Sequence, residues 1–552
     1  MPLNSVLALV AGLVLTAPWL SPLQGGPSPS VVPWLFSLAC AGVLLGVLPL
    51  SRKRWLWSCW LVAGCLGAVF VLKGQATDTL VAVFALGLAG TCAALAASVS
   101  TNSRSVFWLA TAWLIAGLIS VVIGLCQYFG VEQYFLPWMS QSGAGEAFAN
   151  LRQRNQFATL TNMGLLALLW HAAPASSDPP KSWVWWAVTA AAVLLSVGNA
   201  ASSSRTGLVQ LSLLVILAWL WGWLRQPAGL RVLLVAVLTY GVAALTLPML
   251  AGLDPATSGI LARLHNGGPA CASRLTLWGN VVHLIGQRPW LGWGWGELDY
   301  AHYMTFYGGP RFCDILDNAH NLPLHLAVEL GIPLALAVCG GFVWWVIRQR
   351  PWRETDPTRQ MAWGVLAVIL LHSMLEYPLW YGPFQMAFGL SLGLLWGGRR
   401  VQASPLESRP ERSSISISQT LAATILIAFT GYAGWDYHRI SQIYLAPEAR
   451  DAAYQDDTLP KIRHSWLFRN QVRFAELTIT PLTRDNAQWT FDTARALLHY
   501  SPEPRIIEKV IESAVMLGRD DEALLHLARY RAAFPADHAR WAREAAAAPA
   551  RL

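Results

Sequence analysis

Charge is scarce in this chain. Only 13% of its 552 residues are Asp, Glu, Lys or Arg while 55% are apolar, against roughly 25% charged in an ordinary soluble domain, and that balance excludes a purely water-soluble enzyme. The shortage is uneven, about 9% over residues 1–436 and about 27% over 437–552, so two materials are joined in one chain. Catalytic signatures are missing too. There is no G-x-S-x-G, paired C-x-x-C or P-loop, which leaves serine-hydrolase, zinc-ribbon and NTPase readings without a motif. Of eight cysteines, six lie in apolar runs, where a thiol is usually a small buried group. What is plentiful is Trp, with 29 copies, a residue that collects where membrane meets water.

Thirteen mostly apolar windows are long enough to cross a hydrocarbon core of roughly 30 Å as helices. They centre near 4–20, 31–50, 55–72, 78–98, 106–129, 156–173, 182–198, 205–224, 230–250, 321–347, 360–376, 378–397 and 419–435. The expected fold is therefore an all-α polytopic membrane domain over 1–436, followed by a soluble helical region over 437–552. The first window lacks a basic flank and reads as an anchor, not a cleaved signal.

With the N-terminus inside, Arg104, Lys181 and the basic clusters at 52–54, 225–231, 348–359 and 399–412 all fall in inner loops, as the positive-inside rule requires. Their basic excess is larger than the whole-chain net charge of +8, so the basic balance reports topology and gives no argument for nucleic acid. The expected location is a bacterial inner membrane, N-terminus cytoplasmic and C-terminus periplasmic. A long loop, about 251–320, lies on the outer side with the tail, and 399–418 reads as a disordered cytoplasmic linker. Cys271 and Cys313 share the outer loop; an oxidising compartment would let them pair, the alternative being two buried thiols.

The informative residues break the rules at the outer face. FANLRQRNQFATL carries Arg152, Arg154, Asn155 and Gln156; SSSRTGL carries Arg205; SRLTLWGNVVHLIGQRPW opens with Arg274 and reads as an interfacial helix; DILDNAHNLPLH carries Asp317, Asn318, His320 and Asn321; LHSMLEYPLWYGPF adds His372, Glu376, Tyr377 and Tyr381 at a Pro-broken junction. Each has a bland reading as snorkelling, capping or interfacial packing. Together they suggest chemistry. Planar guanidinium forks hold phosphate by paired charge-assisted bonds, and a neutral imidazole takes a proton from a hydroxyl. Pyrophosphate leaves readily once neutralised, so the set suits sugar transfer from a membrane-anchored pyrophosphate to a hydroxyl. Glu297 and Asp299 have a D-x-D-like spacing that could hold a cation, but acids near a Gly-Trp turn are also common surface features.

The segments LRQRNQFATLTNMGLLAL, SRLTLWGNVVHLIGQRPWLGWGWGEL, DNAHNLPLHLAVELGIP and LEYPLWYGPF resemble the bacterial pilin-type O-linked protein oligosaccharyltransferases, in the superfamily of O-antigen ligases and polymerases. The resemblance implies an undecaprenyl-pyrophosphate-linked oligosaccharide as donor, a periplasmic or pilin-like acceptor protein, and no metal or other cofactor. It implies His320 as the base or acceptor-orienting residue, Arg205, Arg274 and Arg154 as pyrophosphate contacts, and Gln156, Tyr377, Tyr381, Glu376 and Asn321 as secondary or acceptor-side residues. Other readings of the residues stay open: ligation to lipid A-core, glycan polymerisation, and, outside enzymes, transport of polyprenyl-linked glycans.

In the tail, PRIIEKVIESAVMLGRDDEALLHLARYRAAFP reads as two helices joined at Gly518, with Ala523, Leu524 and Leu527 on one face. This is similar to half of a tetratricopeptide hairpin, a surface for the acceptor or else a lid or scaffold.

Overall fold

A computed structural model describes residues 3–23, 25–50, 60–61, 76–100, 102–173, 182–265, 270–397 and 415–547. Among these the regular structure is helical, with no strand. Among the described residues the α-helices before the long loop are α1 (Leu3–Leu20), α2 (Val31–Val47), α3 (Ala76–Val99), α4 (Ser103–Tyr128), α5 (Arg154–Ala172), α6 (Ser182–Ala201), α7 (Arg205–Leu220) and α8 (Pro227–Leu250). The outer loop holds α9 (Gly259–His265), α10 (Arg274–Gln287) and α11 (Leu298–Met304). Then follow α12 (Leu322–Leu330), α13 (Ile332–Gln349), α14 (Pro357–Ser373), α15 (Gly382–Gly397) and α16 (Ile417–Ser441). The tail is built of α17 (Thr458–Ile462), α18 (Arg469–Ile479), α19 (Ala487–Leu497), α20 (Pro504–Met516), α21 (Asp520–Ala533) and α22 (Pro535–Ala547).

Six described helical stretches are long and apolar enough to cross a membrane: Ala82–Val99, Ser103–Tyr128, Ser182–Ala201, Pro227–Leu250, Ile332–Arg353 and Ile417–Tyr444. Leu9–Leu20, Val31–Val47 and Arg205–Leu220 are shorter apolar helices. The expected window at 55–72, save residues 60–61, and most of the expected linker 399–418 lie outside the described residues.

The window at 321–347 needs correction. It is two helices, broken at Gly331 with φ +87°. The cause is a crossing strand of backbone: Trp293 N donates to Val328 O at 2.8 Å, Gly294 N to Glu329 O at 3.0 Å, and Ile332 N to Pro289 O at 2.8 Å. A Cβ on Gly331 would run into the Trp290 carbonyl, and its conformation (φ +87°, ψ 158°) belongs to glycine alone.

Packing elsewhere follows side-chain size. Gly389, Gly393 and Gly397 sit one turn apart on α15 and meet the backbone of Ala89, Ala93 and Ala97 on and beside α3, the close small-residue contact that holds membrane helices together where burial in lipid supplies no drive. Helix α5 is the axis of the bundle: every residue from Gln156 to Leu169 is buried. Some of its polar groups bond across helices, with Thr159 Oγ1 3.0 Å from His372 Nδ1 and accepting from Gln210 Nε2 at 2.8 Å. In the outer loop a disulfide joins Cys271 to Cys313, Cα atoms 5.3 Å apart.

The tail has its own core of Phe474, Leu477, Phe491, Ile506, Val510 and Tyr530, and Gly518 (φ +69°) makes the turn between α20 and α21. The buried face of α21 differs from the expected one. Leu524 is 62% exposed, and the helical period from Ala523 runs instead through His526, Leu527 and Tyr530.

Gly331→Ala should lower the stability of detergent-purified protein by at least about 2 kcal/mol through strain at this conformation, while Gly340→Ala, which points into open space, should leave it unchanged. Thermal unfolding followed by size-exclusion would show this, and equal midpoints would mean that the crossing does not require glycine.

Candidate functional site

The rule-breaking segments meet at one carboxylate. Glu376 lies just beyond α14, its side chain only 9% exposed. Its Oε1 is paired with Arg274 Nη2 and accepts from Asn155 Nδ2 at 3.2 Å; its Oε2 accepts from Gln153 Nε2 at 2.7 Å and lies 3.4 Å from His320 Nδ1. Burial pushes this carboxyl up, but the approach of His320 and the charge of Arg274 outweigh it and hold the group down at about 2. The sequence assigned Glu376 a secondary place, whereas the structure makes it the centre. The signal was present: an acid at a Pro-broken helix end, in a chain with rule-breaking arginines.

His320 stands in the left-handed region, φ +50°, with its N–H donating to Asn318 Oδ1 at 2.9 Å. Asn321 caps α12, accepting from Leu324 N at 3.2 Å, and donates through Nδ2 to Met374 O at 3.1 Å. Asn321 thereby bolts the His320 segment to the Glu376 segment. The imidazole meets the Tyr377 ring edge-on at 4.9 Å. With Nδ1 turned to a carboxylate, a proton on that nitrogen leaves Nε2 with its lone pair, the state of a general base. Arg152 (φ +60°) and Ser203 (φ +51°) share the strained conformation. Three non-glycine residues from three segments, each costing about 1 kcal/mol or more, are held at one site by tertiary bonds, and no local pattern announces them.

The cations arrive on helix N-termini. Arg274 opens α10 behind the cap Ser273. Arg205 opens α7 behind Ser204, whose Oγ accepts from Gly207 N at 2.9 Å and donates to Asn155 Oδ1 at 2.6 Å; the Arg205 side chain is exposed. Arg154 opens α5 and pairs with Glu146. A fourth cation escaped the sequence reading: Arg263 of α9 donates through Nη1 to Ser203 O at 3.0 Å. Burial lowers its pKa, as do the charges of Arg154 and Arg205, partly offset by Glu146 and Glu376. Cations crowded closely enough to lower the Arg263 guanidinium mark a place built for an anion. A lone Arg on an outer loop, against the positive-inside rule, could have found it.

On the other side of Glu376, Tyr377 and Tyr381 stack at 6.0 Å. Gln156 is 1% exposed and its Nε2 has no hydrogen-bond partner. These three, with Gln153, Arg152 and Ser30, line a cavity of about 290 Å³. Burial raises both phenols, which keeps them neutral donors. Among the described residues no three His, Cys, Asp or Glu side chains gather as metal ligands. Glu297 instead accepts from His499 Nδ1 at 2.7 Å, and Asp299 Oδ1 accepts from Tyr300 N at 2.6 Å.

Three family models match stretches of the chain. Residues 147–171 match the family described as Protein glycosylation ligase, 190–339 that described as O-Antigen ligase, and 360–548 that described as Virulence factor membrane-bound polymerase, C-terminal. The General O-oligosaccharyltransferase of Acinetobacter baylyi is 25% identical over 413 residues, covering 71% of this chain and 70% of that protein. The ComP-specific O-oligosaccharyltransferase of the same organism is 23% identical over 295 residues, 53% of this chain and 51% of that one. The chain is thus homologous to O-oligosaccharyltransferases, carries O-antigen ligase and protein glycosylation ligase regions, and is a glycosyltransferase.

Because the Glu376 carboxyl falls from its ordinary 4.5 to about 2 on folding, its stabilising contribution is complete above pH 4.5 and lost as pH falls through about 2. Glu376→Gln should therefore unfold at a lower temperature than wild type at pH 7, the gap narrowing at pH 3, and glycan transfer should fall by about 10²-fold. A gap that did not change with pH would show that the carboxylate charge is not what holds the site.

Proposed function

We propose that this glycosyltransferase moves a preassembled oligosaccharide en bloc from undecaprenyl pyrophosphate to Ser or Thr hydroxyls of periplasmic or pilin-like proteins. The reaction takes place at the outer face of a bacterial inner membrane, within a thirteen-span topology whose N-terminus is cytoplasmic and C-terminus periplasmic. What carries the reading is the juxtaposition at Glu376: an imidazole with one nitrogen turned to a carboxylate, beside four arginines of which two, Arg154 and Arg274, already have acidic partners.

In this mechanism His320 Nε2 takes the proton from the acceptor hydroxyl as its oxygen attacks the anomeric carbon. The new C–O bond forms on the face opposite the leaving group, the bond from the anomeric carbon to the phosphate oxygen breaks, and its electron pair departs with the pyrophosphate. Inversion follows. Glu376 holds the Nδ1 proton and stabilises the imidazolium that forms, the role that a buried acid plays toward a catalytic histidine. Arg205 and Arg263 receive the pyrophosphate charge, joined by Arg274 and Arg154, and no metal is required when guanidinium groups supply the neutralisation. Gln156, Tyr377 and Tyr381 line the acceptor side, where neutral phenols and an unpartnered amide suit a hydroxyl or peptide group. The tetratricopeptide-like reading of 504–533 belongs to the same proposal.

Intact-protein mass spectrometry of a pilin-type acceptor, from cells supplied with one lipid-linked glycan, tests it. Wild type should add one glycan mass, His320→Ala should lose it by at least about 10²-fold, and Arg263→Ala should raise the donor requirement by about tenfold, one guanidinium–phosphate contact. An unmodified acceptor with wild type would move the assignment to lipid A-core ligation or glycan polymerisation, which use the same donor site.

A further inference from the structure

The short helix α11 belongs to two cores at once. Its Leu298 and Ala301 are buried with Leu277, Val281, Leu316 and Ala319 in the core of the outer loop. Its Tyr303, 2% exposed, is buried with Phe474, Phe491, Ile506 and Tyr530 in the core of the tail. Polar bonds fasten the same helix to the tail along its length. At its start Glu297 accepts from His499 Nδ1 at 2.7 Å, and the His499 ring lies stacked on Tyr300 at 3.7 Å. Tyr303 Oη lies 2.9 Å from His526 Nδ1, and at its end Met304 O accepts from Arg529 Nε at 3.2 Å. Burial, with the charges of Arg529 and Arg495, lowers His526 to about 4. Its ring is therefore neutral, and Nδ1 can accept from the phenol.

From α11 the contacts run on to the two residues that matter. His302 holds Tyr307 through Nδ1 at 2.8 Å and the Phe312 carbonyl through Nε2 at 3.2 Å. Phe312 N donates to Asn280 Oδ1 on α10 at 2.8 Å, and the next residue, Cys313, is bonded to Cys271, three residues before Arg274. On the other branch, Ala319, one residue before His320, is buried in the same core as Leu298 and Ala301, and its carbonyl accepts from Trp278 Nε1 at 3.1 Å. A shift of α11 would move both Arg274 and His320.

We infer that the tail is a positioning element for the reaction, with Tyr303 and His526 as positioning residues that set Arg274 and His320 through α11. The inference rests on the roles proposed above for those two residues. A tail acting only as a platform for acceptor proteins would need no such wedge in its core.

The test uses the full-length protein in detergent, with Tyr303→Phe, His526→Leu, the double variant, and His526→Asn, whose amide oxygen replaces Nδ1 as acceptor. Hydrogen–deuterium exchange read by mass spectrometry should show backbone amides of 316–321 exchanging at least tenfold faster in His526→Leu and in Tyr303→Phe, and returning toward wild type in His526→Asn. Transfer from a lipid-linked glycan should fall about tenfold in kcat with acceptor KM unchanged, and the double variant should be no worse than either single one. Faster exchange confined to 298–304, with kcat unmoved, would overturn the inference, as would a loss that lies wholly in acceptor KM, the mark of a docking platform. Exchange needs no acceptor, so it tests the coupling of tail to site even if wild type proves inactive toward proteins and the proposed function fails.

Discussion

A carboxylate shut away from water is the constraint on which the outer face depends. Ionised and buried, Glu376 is tolerable only if positive charge and donors reach it, and its four partners come from three segments: Gln153 and Asn155 from the entry to α5, Arg274 from the start of α10, His320 from the loop before α12. The requirement to compensate one acid thus fixes how the central helix, the outer loop and the end of α14 meet. Its depressed pKa measures how completely that requirement is satisfied.

The charge balance around it is left open on one side. Arg154 and Arg274 are paired with acids, whereas Arg205 is exposed and Arg263 donates to a backbone carbonyl. A site with more guanidinium than carboxylate, set on three helix N-termini, favours an incoming anion twice over, through charge and through the helix dipoles. The left-handed residues Arg152, Ser203 and His320 show that the fold accepts backbone strain here to aim its side chains, as functional sites commonly do.

The charged tail and the loop before α12 share one helix. The bundle provides rigid helix ends, the disulfide and the Gly331 crossing brace the outer loop, and α11 shares its residues between loop and tail. The loop that carries Arg274 and His320 is fixed from both directions, which suits chemistry that needs reacting groups placed to within a fraction of an ångström.

Much of this was legible in the sequence because the bilayer imposes a simple code. Apolar length gave helices, scarce charge gave a membrane location, and arginines that break the positive-inside rule marked segments that meet around Glu376. Arg205, Arg274, His320, Tyr377 and Tyr381 were readable as exceptions to that code. Other features were not readable, since they arise from chain segments that meet only after folding. A continuous apolar window at 321–347 hides a break made by a crossing strand of backbone, Leu524 yields its place to His526 because the tail core wraps around Tyr303, and Arg263 becomes part of the site only beside Arg154 and Arg205. Glu376 is the clearest case. Sequence determines that an acid lies near a helix end, but only tertiary structure decides that it is buried, and burial is what turns one carboxylate into the charge around which the others must gather.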